Sequence, residues 1–328
     1  MDIFLQQLIN GLTLGSVYAM VALGYTMVYG IIQLINFAHG EVVMIGAMIA
    51  LSVISLLAKA GVHPVLAVLL GMACAVPACM AVGYVMERVA YRPLRGAPRL
   101  APLITAIGIS IVLQHLGLMI WSRNYLVFPQ IIRTESYPIG GATITNVQIA
   151  IILIALAMMA ALAMVVYRTS LGRAMRATAQ NLQVAGLMGI DIDRIISATF
   201  IIGAALAAVA GVMVGSYYGV AHYTMGSLLG LKAFSAAVLG GIGNLPGAVL
   251  GGVLLGVVEA LGAGYIGDIT DLCHFAGLSE VLKSRCSEDP HLVLMGSNYQ
   301  DVFAFLVLIA VLVLRPSGLL GERVGDRA

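Results

Sequence analysis

A chain of 328 residues that is 61% hydrophobic and only 10% charged departs far from the roughly one-quarter charged residues of an average soluble domain. Most of its surface cannot face water, which excludes an ordinary soluble protein, and a formal net charge of +2 carries no sign of a nucleic-acid partner. The composition reads as an all-α polytopic membrane protein, a single transmembrane domain over 1–328, whose 38 glycines supply the small residues that let helices approach closely in lipid.

A spanning helix needs about 20 mostly apolar residues. The first run, 5–29, follows "MDIFLQQ", which lacks the basic region of a cleaved signal, so this span is expected to be retained. The second, 33–57, opens within "IIQLINFAHGEVVMIGA" (31–47), which sets Asn36, His39 and Glu41 within six positions. An acid or base at the centre of a span costs at least about 2.5–3.5 kcal/mol on insertion scales, so it needs a partner or a wet cavity. The stretch reads as a helix interrupted near Ala38 to Gly40, with Glu41 in the favourable field of a new helix N-terminus. On a continuous helix positions 39 and 41 lie about 200° apart, so only an interruption lets both face one cavity. Two roles stay open for His39 and Glu41: capping a break near the cytoplasmic surface, or lining a translocation pathway. Asn36 reads first as interhelical hydrogen-bonding glue.

The third span, 64–86, carries Cys74 and Cys79, read as buried structural thiols. Next comes "ERVAYRPLRGAPR" (87–99), with four arginines; 168–194 holds four more and the tail from Arg315 three, so eleven of 17 basic residues fall in three segments. The positive-inside rule puts those segments in the cytoplasm, with 122–147 and 267–298 outward. Spans at 102–121 and 148–167 lead to "YRTSLGRAMRATAQNLQVAGLMGIDIDRI" (167–195). There Leu171, Met175, Thr178, Leu182 and Ala185 form one helical stripe, and Arg173, Arg176, Gln180 and Gln183 a second. This is a short amphipathic cytoplasmic helix capped at Ser170, with Gly186 and Gly189 turning the chain. It either lies flat at the headgroups or inserts into a groove on a cytoplasmic partner.

Further spans follow at 195–218, 225–240, 246–266 and 299–314, eight or nine crossings in all; nine put the N-terminus outside. Lys232 and Glu259 are the lone charges of the seventh and eighth. Lys232 has room to snorkel as an anchor, or to pair with Glu41 or Glu259. "GGIGNLPGAVLGGVLLG" has no following Lys-Ser/Thr and no preceding strand, so it packs helices and binds no phosphate. In the outward loop, Cys273 and Cys286 suit a disulfide in an oxidising compartment; with His274 and His291 they lack zinc-type spacing, and no metal is expected. Without GxxxxGK[ST], His-Glu-x-x-His or Gly-x-Ser-x-Gly, the chain has no catalytic residues of these kinds, and any ATP energy must come from another subunit.

The segment "LGRAMRATAQNLQVAGLMGIDIDRI" resembles the coupling loop of permeases in the branched-chain amino-acid class of ABC importers, related to the EAA loop of ABC importers generally. Three stretches agree in the family's order: "NGLTLGSVYAMVALGYTMVYGIIQLINFAHGEVVMIGA", "ERVAYRPLRGAPRLAPLITAIGIS", and "FIIGAALAAVAGVMVGSYYGV" followed by "LKAFSAAVLGGIGNLPGAVLGGVLLGVVEAL". Together they cover most of the chain and match the H-type subunit best. The loop lacks the glutamate that names the EAA motif and the Leu-Pro that commonly ends it; Ala177, Ala179 and Gly189 match. The outward loop is longer than usual for the family.

The resemblance implies a multi-pass permease of the bacterial inner membrane that is not itself an enzyme and holds no cofactor, ATP being bound by partner subunits. Its implied partners are a second homologous permease, two cytoplasmic ATPases, a periplasmic substrate-binding protein and the lipid bilayer. The implied substrate is leucine, isoleucine or valine. Importers of urea and short amides share the architecture, and a secondary transporter or channel is the alternative on physical grounds alone. On this reading Leu171, Arg173, Met175, Arg176, Ala177, Ala179 and Gly189 couple to the ATPase, while Asn36, His39, Glu41, Lys232 and Glu259 are pathway candidates.

Overall fold

The computed structural model describes residues 2–98, 100–129, 134–265 and 300–321. Eleven α-helices account for most of them: α1 (Asp2–Ile32), α2 (His39–Lys59), α3 (Pro64–Met86), α4 (Leu100–Trp121), α5 (Asn146–Arg168), α6 (Ser170–Gln180), α7 (Leu182–Leu187), α8 (Ile192–Tyr218), α9 (Met225–Gly240), α10 (Leu245–Tyr265) and α11 (Gln300–Leu314). Helix α3 runs on through a π-helical turn, Glu87–Tyr91, and a 3-10 turn, Arg92–Leu94. Among the described residues seven helices are long and apolar enough to cross a membrane, namely α1 to α5, α8 and α10; α9 and α11 are apolar but shorter. This is an all-α polytopic membrane fold, and the nine apolar helices fall on the nine runs expected.

Local chemistry sets the helix ends. Pro64 starts α3 where its missing N–H costs nothing, and a reciprocal Thr145–Gln148 capping box starts α5. Asp191 accepts from the Arg194 N–H at 3.2 Å to start α8, which ends at left-handed Gly219.

Helices α1, α2, α8 and α10 form the interior. Tyr18 to Ala22 are wholly inaccessible, because α1 lies directly along α10: a Cβ on Gly15 would fall 2.7 Å from the Val253 Cα. Lipid offers no hydrophobic drive, so this backbone approach supplies the attraction by dispersion. Helix α4 is peripheral, burying only Pro102, Ala106, Leu113 and Gly117 and exposing Ile104, Met119 and Ile120.

The two ends of the bundle differ. At one, Gln6 of α1 bonds Thr143 in the hairpin β2 (Ser136–Ile139) with β3 (Ala142–Thr145), and β1 (Leu126–Val127) pairs antiparallel with β4 (Val220–Ala221). At the other, Arg92 and Arg95 meet Asp193, and Gly30 near the end of α1 faces Gly243. The N-terminus therefore lies opposite the arginine-rich end, as nine alternating helices require.

Four expectations need correction. The break before α2 is 33–38, not 38–40, and α2 is continuous through residues 39 and 41. The cytoplasmic helix is two helices, divided by Asn181, whose side chain accepts from the Gln183 and Val184 N–H groups. Thr169, not Ser170, caps α6, accepting from Gly172 at 3.1 Å. Cys79 is buried, but Cys74 is exposed on the outer face of α3. Cys273, Cys286 and the loop 267–298 lie outside the described residues.

Candidate functional site

The first cluster is built on the break. Helix α1 stops at Ile32, and Gln33 turns left-handed at φ 53°, its N–H reaching the Tyr29 carbonyl at 2.8 Å. The Asn36 Oδ1 accepts from the Ala38 N–H at 3.1 Å and from the Tyr91 hydroxyl at 2.8 Å. Irregular backbone inside a bilayer survives only where protein satisfies it, and Asn36 does that while joining the break to the π-turn. Helix α2 then starts at His39 with Glu41 in its first turn, in the positive field of the helix N-terminus.

His39 and Glu41 are both buried, at 3% and 0% exposure, but they turn to different neighbours. The His39 ring lies 4.9 Å from that of Tyr25, edge-on, against Gly24 of α1, where a Cβ would come within 2.5 Å of its Cε1. Glu41 points to the middle of α4: its Oε1 accepts from Gln114 Nε2 at 2.8 Å and Ser110 Oγ at 3.2 Å. Its Oε2 has no hydrogen-bond partner among the described residues, and none of the ion pairs among them includes Glu41. Helix α9 closes over this oxygen with a glycine: a Cβ on Gly226 would lie 2.8 Å from Oε2 and 2.5 Å from the Gly40 carbonyl oxygen. On the continuous α2 the two residues do not share one cavity, yet neither is exposed: α1 on one side and α4 with α9 on the other enclose both.

The second cluster is ionic. Lys232 of α9 does not snorkel: it is 4% exposed and its Nζ lies 2.7 Å from Glu259 Oε1 and 2.5 Å from Asp301 Oδ1. Tyr18 of α1 donates to Glu259 Oε2 at 3.0 Å, and its ring faces the ammonium at 5.8 Å. Four helices, α1, α9, α10 and α11, are thus tied at one buried point. Sequence reasoning left Lys232 between two partners and missed Asp301, whose signal was a lone acid at the head of an apolar run.

A third cluster gathers at the arginine-rich end. Glu87, fully buried, accepts from Arg95 on one oxygen and from Ser197 Oγ at 2.6 Å on the other. Arg95 continues to Asp193, which Arg92 also reaches at 2.6 Å. Helices α6 and α7 project beside it. Gly172, Met175, Thr178 and Ala185 are their buried positions, Leu171, Ala177 and Ala179 are half-buried and Arg173 is exposed, so the two stripes fall where their spacing put them. Arg176 is taken by α5: it donates to the Val166 carbonyl and covers the Tyr167 ring at 5.5 Å. Gly189 is left-handed, at φ 84°, and before it Leu187 and Met188 stand 87% and 79% exposed. These two apolar side chains were not singled out from the sequence.

Apolar helices around a broken span, charges sealed at depth and an amphipathic pair of helices at a basic end together define a multi-pass membrane transport protein. Residues 7–312 match the family model of the branched-chain amino acid transport system permease component, and the chain belongs to that family. It is 47% identical over 324 residues, 97% of its length and 96% of the relative's, to the high-affinity branched-chain amino acid transport system permease protein BraD of Pseudomonas aeruginosa. The permease protein LivH of the corresponding Escherichia coli system is 42% identical over 325 residues, and LivH of Salmonella typhimurium 43%; each alignment covers 97% of this chain and 96% of the relative. No solved structure matches.

Proposed function

We propose that this chain is the transmembrane permease of an ATP-driven importer of leucine, isoleucine and valine, seated in a bacterial inner membrane beside a second, homologous permease. Two cytoplasmic ATPases and a periplasmic binding protein complete the machine, and the chain carries no cofactor of its own. The observation that carries this reading is the near-full-length match to permeases named for branched-chain amino acid transport. Within the chain, the break at 33–38 with Asn36, His39 and Glu41 is the pathway candidate, because its carboxylate is sealed in with no cation paired to it among the described residues. Lys232 and Glu259, paired to each other, frame that pathway.

Coupling falls to α6 and α7. Leu171, Met175, Ala177 and Ala179 seat α6 on the bundle, Arg176 fastens it to α5, Arg173 faces outward and Gly189 turns the chain back. Val184, Leu187 and Met188 form an exposed apolar tip at the basic end, the form of helix that fills a hydrophobic groove on a partner. Two measurements test the reading. Vesicles holding the full complex and a leucine-loaded binding protein should accumulate labelled leucine with ATP, in competition with isoleucine and valine; accumulation of urea or acetamide instead overturns the substrate assignment. In the same vesicles, Leu187→Glu with Met188→Glu should abolish the stimulation of ATP hydrolysis by the loaded binding protein. Surface changes of this kind shift stability by no more than about 0.5 kcal/mol, so unaltered stimulation in the double variant removes the tip from the coupling surface.

A further inference from the structure

The third cluster and the break are physically joined, and the join is the π-helical turn Glu87–Tyr91. Turns of this kind are frequent at functional positions. On one flank the turn is clamped to α8. Glu87 holds Arg95 and Ser197, and Arg95 and Arg92 both hold Asp193. The ring of contacts thus closes on Asp193 and Ser197, one helical turn apart at the start of α8, the helix that α6 and α7 lead into. On the other flank Tyr91 is wedged under the break. Its ring lies 5.0 Å from that of Phe200 of α8, and its hydroxyl is one of two donors to Asn36 Oδ1, three residues ahead of His39.

We propose that this turn transmits movement of the coupling helices to the mouth of α2, with Glu87 and Tyr91 as positioning residues; the inference rests on the importer reading. Movement of α6 and α7 reaches α8 through Asp191, its cap. Because Glu87 is itself fully buried with both oxygens bound, α8 and the end of α3 move as one body. Tyr91 rides on that body, and its polar tie to the break is the hydroxyl bond to Asn36. Displacing it loosens the backbone that orients His39 and Glu41.

Spatial intermediacy alone does not establish coupling, so the test reads coupling directly. Tyr91→Phe removes one hydroxyl and leaves the ring on Phe200. In vesicles holding the full complex and loaded binding protein, it should hydrolyse ATP within about two-fold of the wild type while leucine imported per ATP falls about ten-fold, inside the usual range of coupling free energies. Glu87→Gln, which keeps the shape and drops the charge, should move the same ratio in the same direction. Adding Tyr91→Phe to Asn36→Ala should lower the ratio no further than Asn36→Ala alone, since the one bond that Tyr91→Phe removes is already lost with the Asn36 amide. Wild-type import per ATP in Tyr91→Phe, or additive losses in the double variant, overturns the transmission proposal alone. A wild-type complex that hydrolyses ATP and imports nothing overturns the importer reading and this proposal together.

Discussion

Two buried carboxylates in this bundle, Glu259 and Glu41, are equally inaccessible and treated in opposite ways. Glu259 has a cation on one oxygen and a hydroxyl donor on the other, so its cost is met inside the protein. Glu41 has two neutral donors on one oxygen and none on the other among the described residues. Replacing a compensated buried pair by apolar residues is often harmless, whereas removing one partner is not; Glu259 is therefore part of the frame. Glu41 has no ion pair among the described residues, and an uncompensated acid at this depth is what supports the pathway role proposed for it.

The comparison is broken most forcefully at Lys232. Lys232→Met leaves Glu259 and Asp301 facing each other without their cation and should cost about 3–5 kcal/mol. The expected outcome is loss of a monodisperse peak in detergent chromatography, recovered when Glu259→Gln and Asp301→Asn are added. A single variant as stable as the wild type would make the cluster ornamental.

Next in size is Gly226→Ala, which pushes a methyl group against the Gly40 carbonyl and the free oxygen of Glu41. Overpacking of this kind costs about 1–3 kcal/mol, read as a lowered unfolding midpoint in detergent. Gly108→Ala on α4 is the control, since nothing lies within 4 Å of that Cβ; equal shifts in the two variants would mean that α9 does not close over Glu41.

Glu41→Gln sharpens the contrast. An amide oxygen accepts from Gln114 and Ser110 as the carboxylate does, and no cation is orphaned, so stability should change by less than about 1 kcal/mol. Import should nevertheless fall about ten-fold, equivalent to about 1.4 kcal/mol of barrier. Undiminished import would reduce Glu41 to a helix cap.

How far the sequence announced this arrangement depends on the range of the contact. The spans were legible because lipid demands long apolar runs, and the α6 stripe because helical period and burial coincide. The shift of the break to 33–38 rests on Asn36 binding the N–H two residues on, a turn signal that Asn commonly gives and that was readable in principle. Partners at a distance were not settled: the sequence offers Lys232 both Glu41 and Glu259, 27 positions away, without choosing, and nothing in it points from Glu41 to Gln114, 73 positions on. Glu87 looked like one acid in a basic cytoplasmic loop; only the fold brings Ser197 over it and buries it. Arg176 was read as a docking residue because periodicity reports which face a side chain leaves from, not that the carbonyls ending α5 lie within its reach.

The finest test removes one hydroxyl from each carboxylate. Tyr18→Phe takes the donor from Glu259 Oε2 and Ser110→Ala takes the longer of the two bonds from Glu41 Oε1. A hydrogen bond of this kind is worth about 1 kcal/mol, so Tyr18→Phe should lower the unfolding midpoint by roughly that much while import per folded molecule holds, because Lys232 still compensates Glu259. Ser110→Ala should scarcely move the midpoint, since Gln114 keeps the shorter bond at 2.8 Å. Its effect should appear instead in import, because a carboxylate with one neutral donor left is free to swing toward Gly226 and away from α4. The two variants thus separate a carboxylate that holds helices together from one that the helices hold in place. Both effects appearing in stability, or both in import, would place Glu41 and Glu259 in the same class and end the comparison.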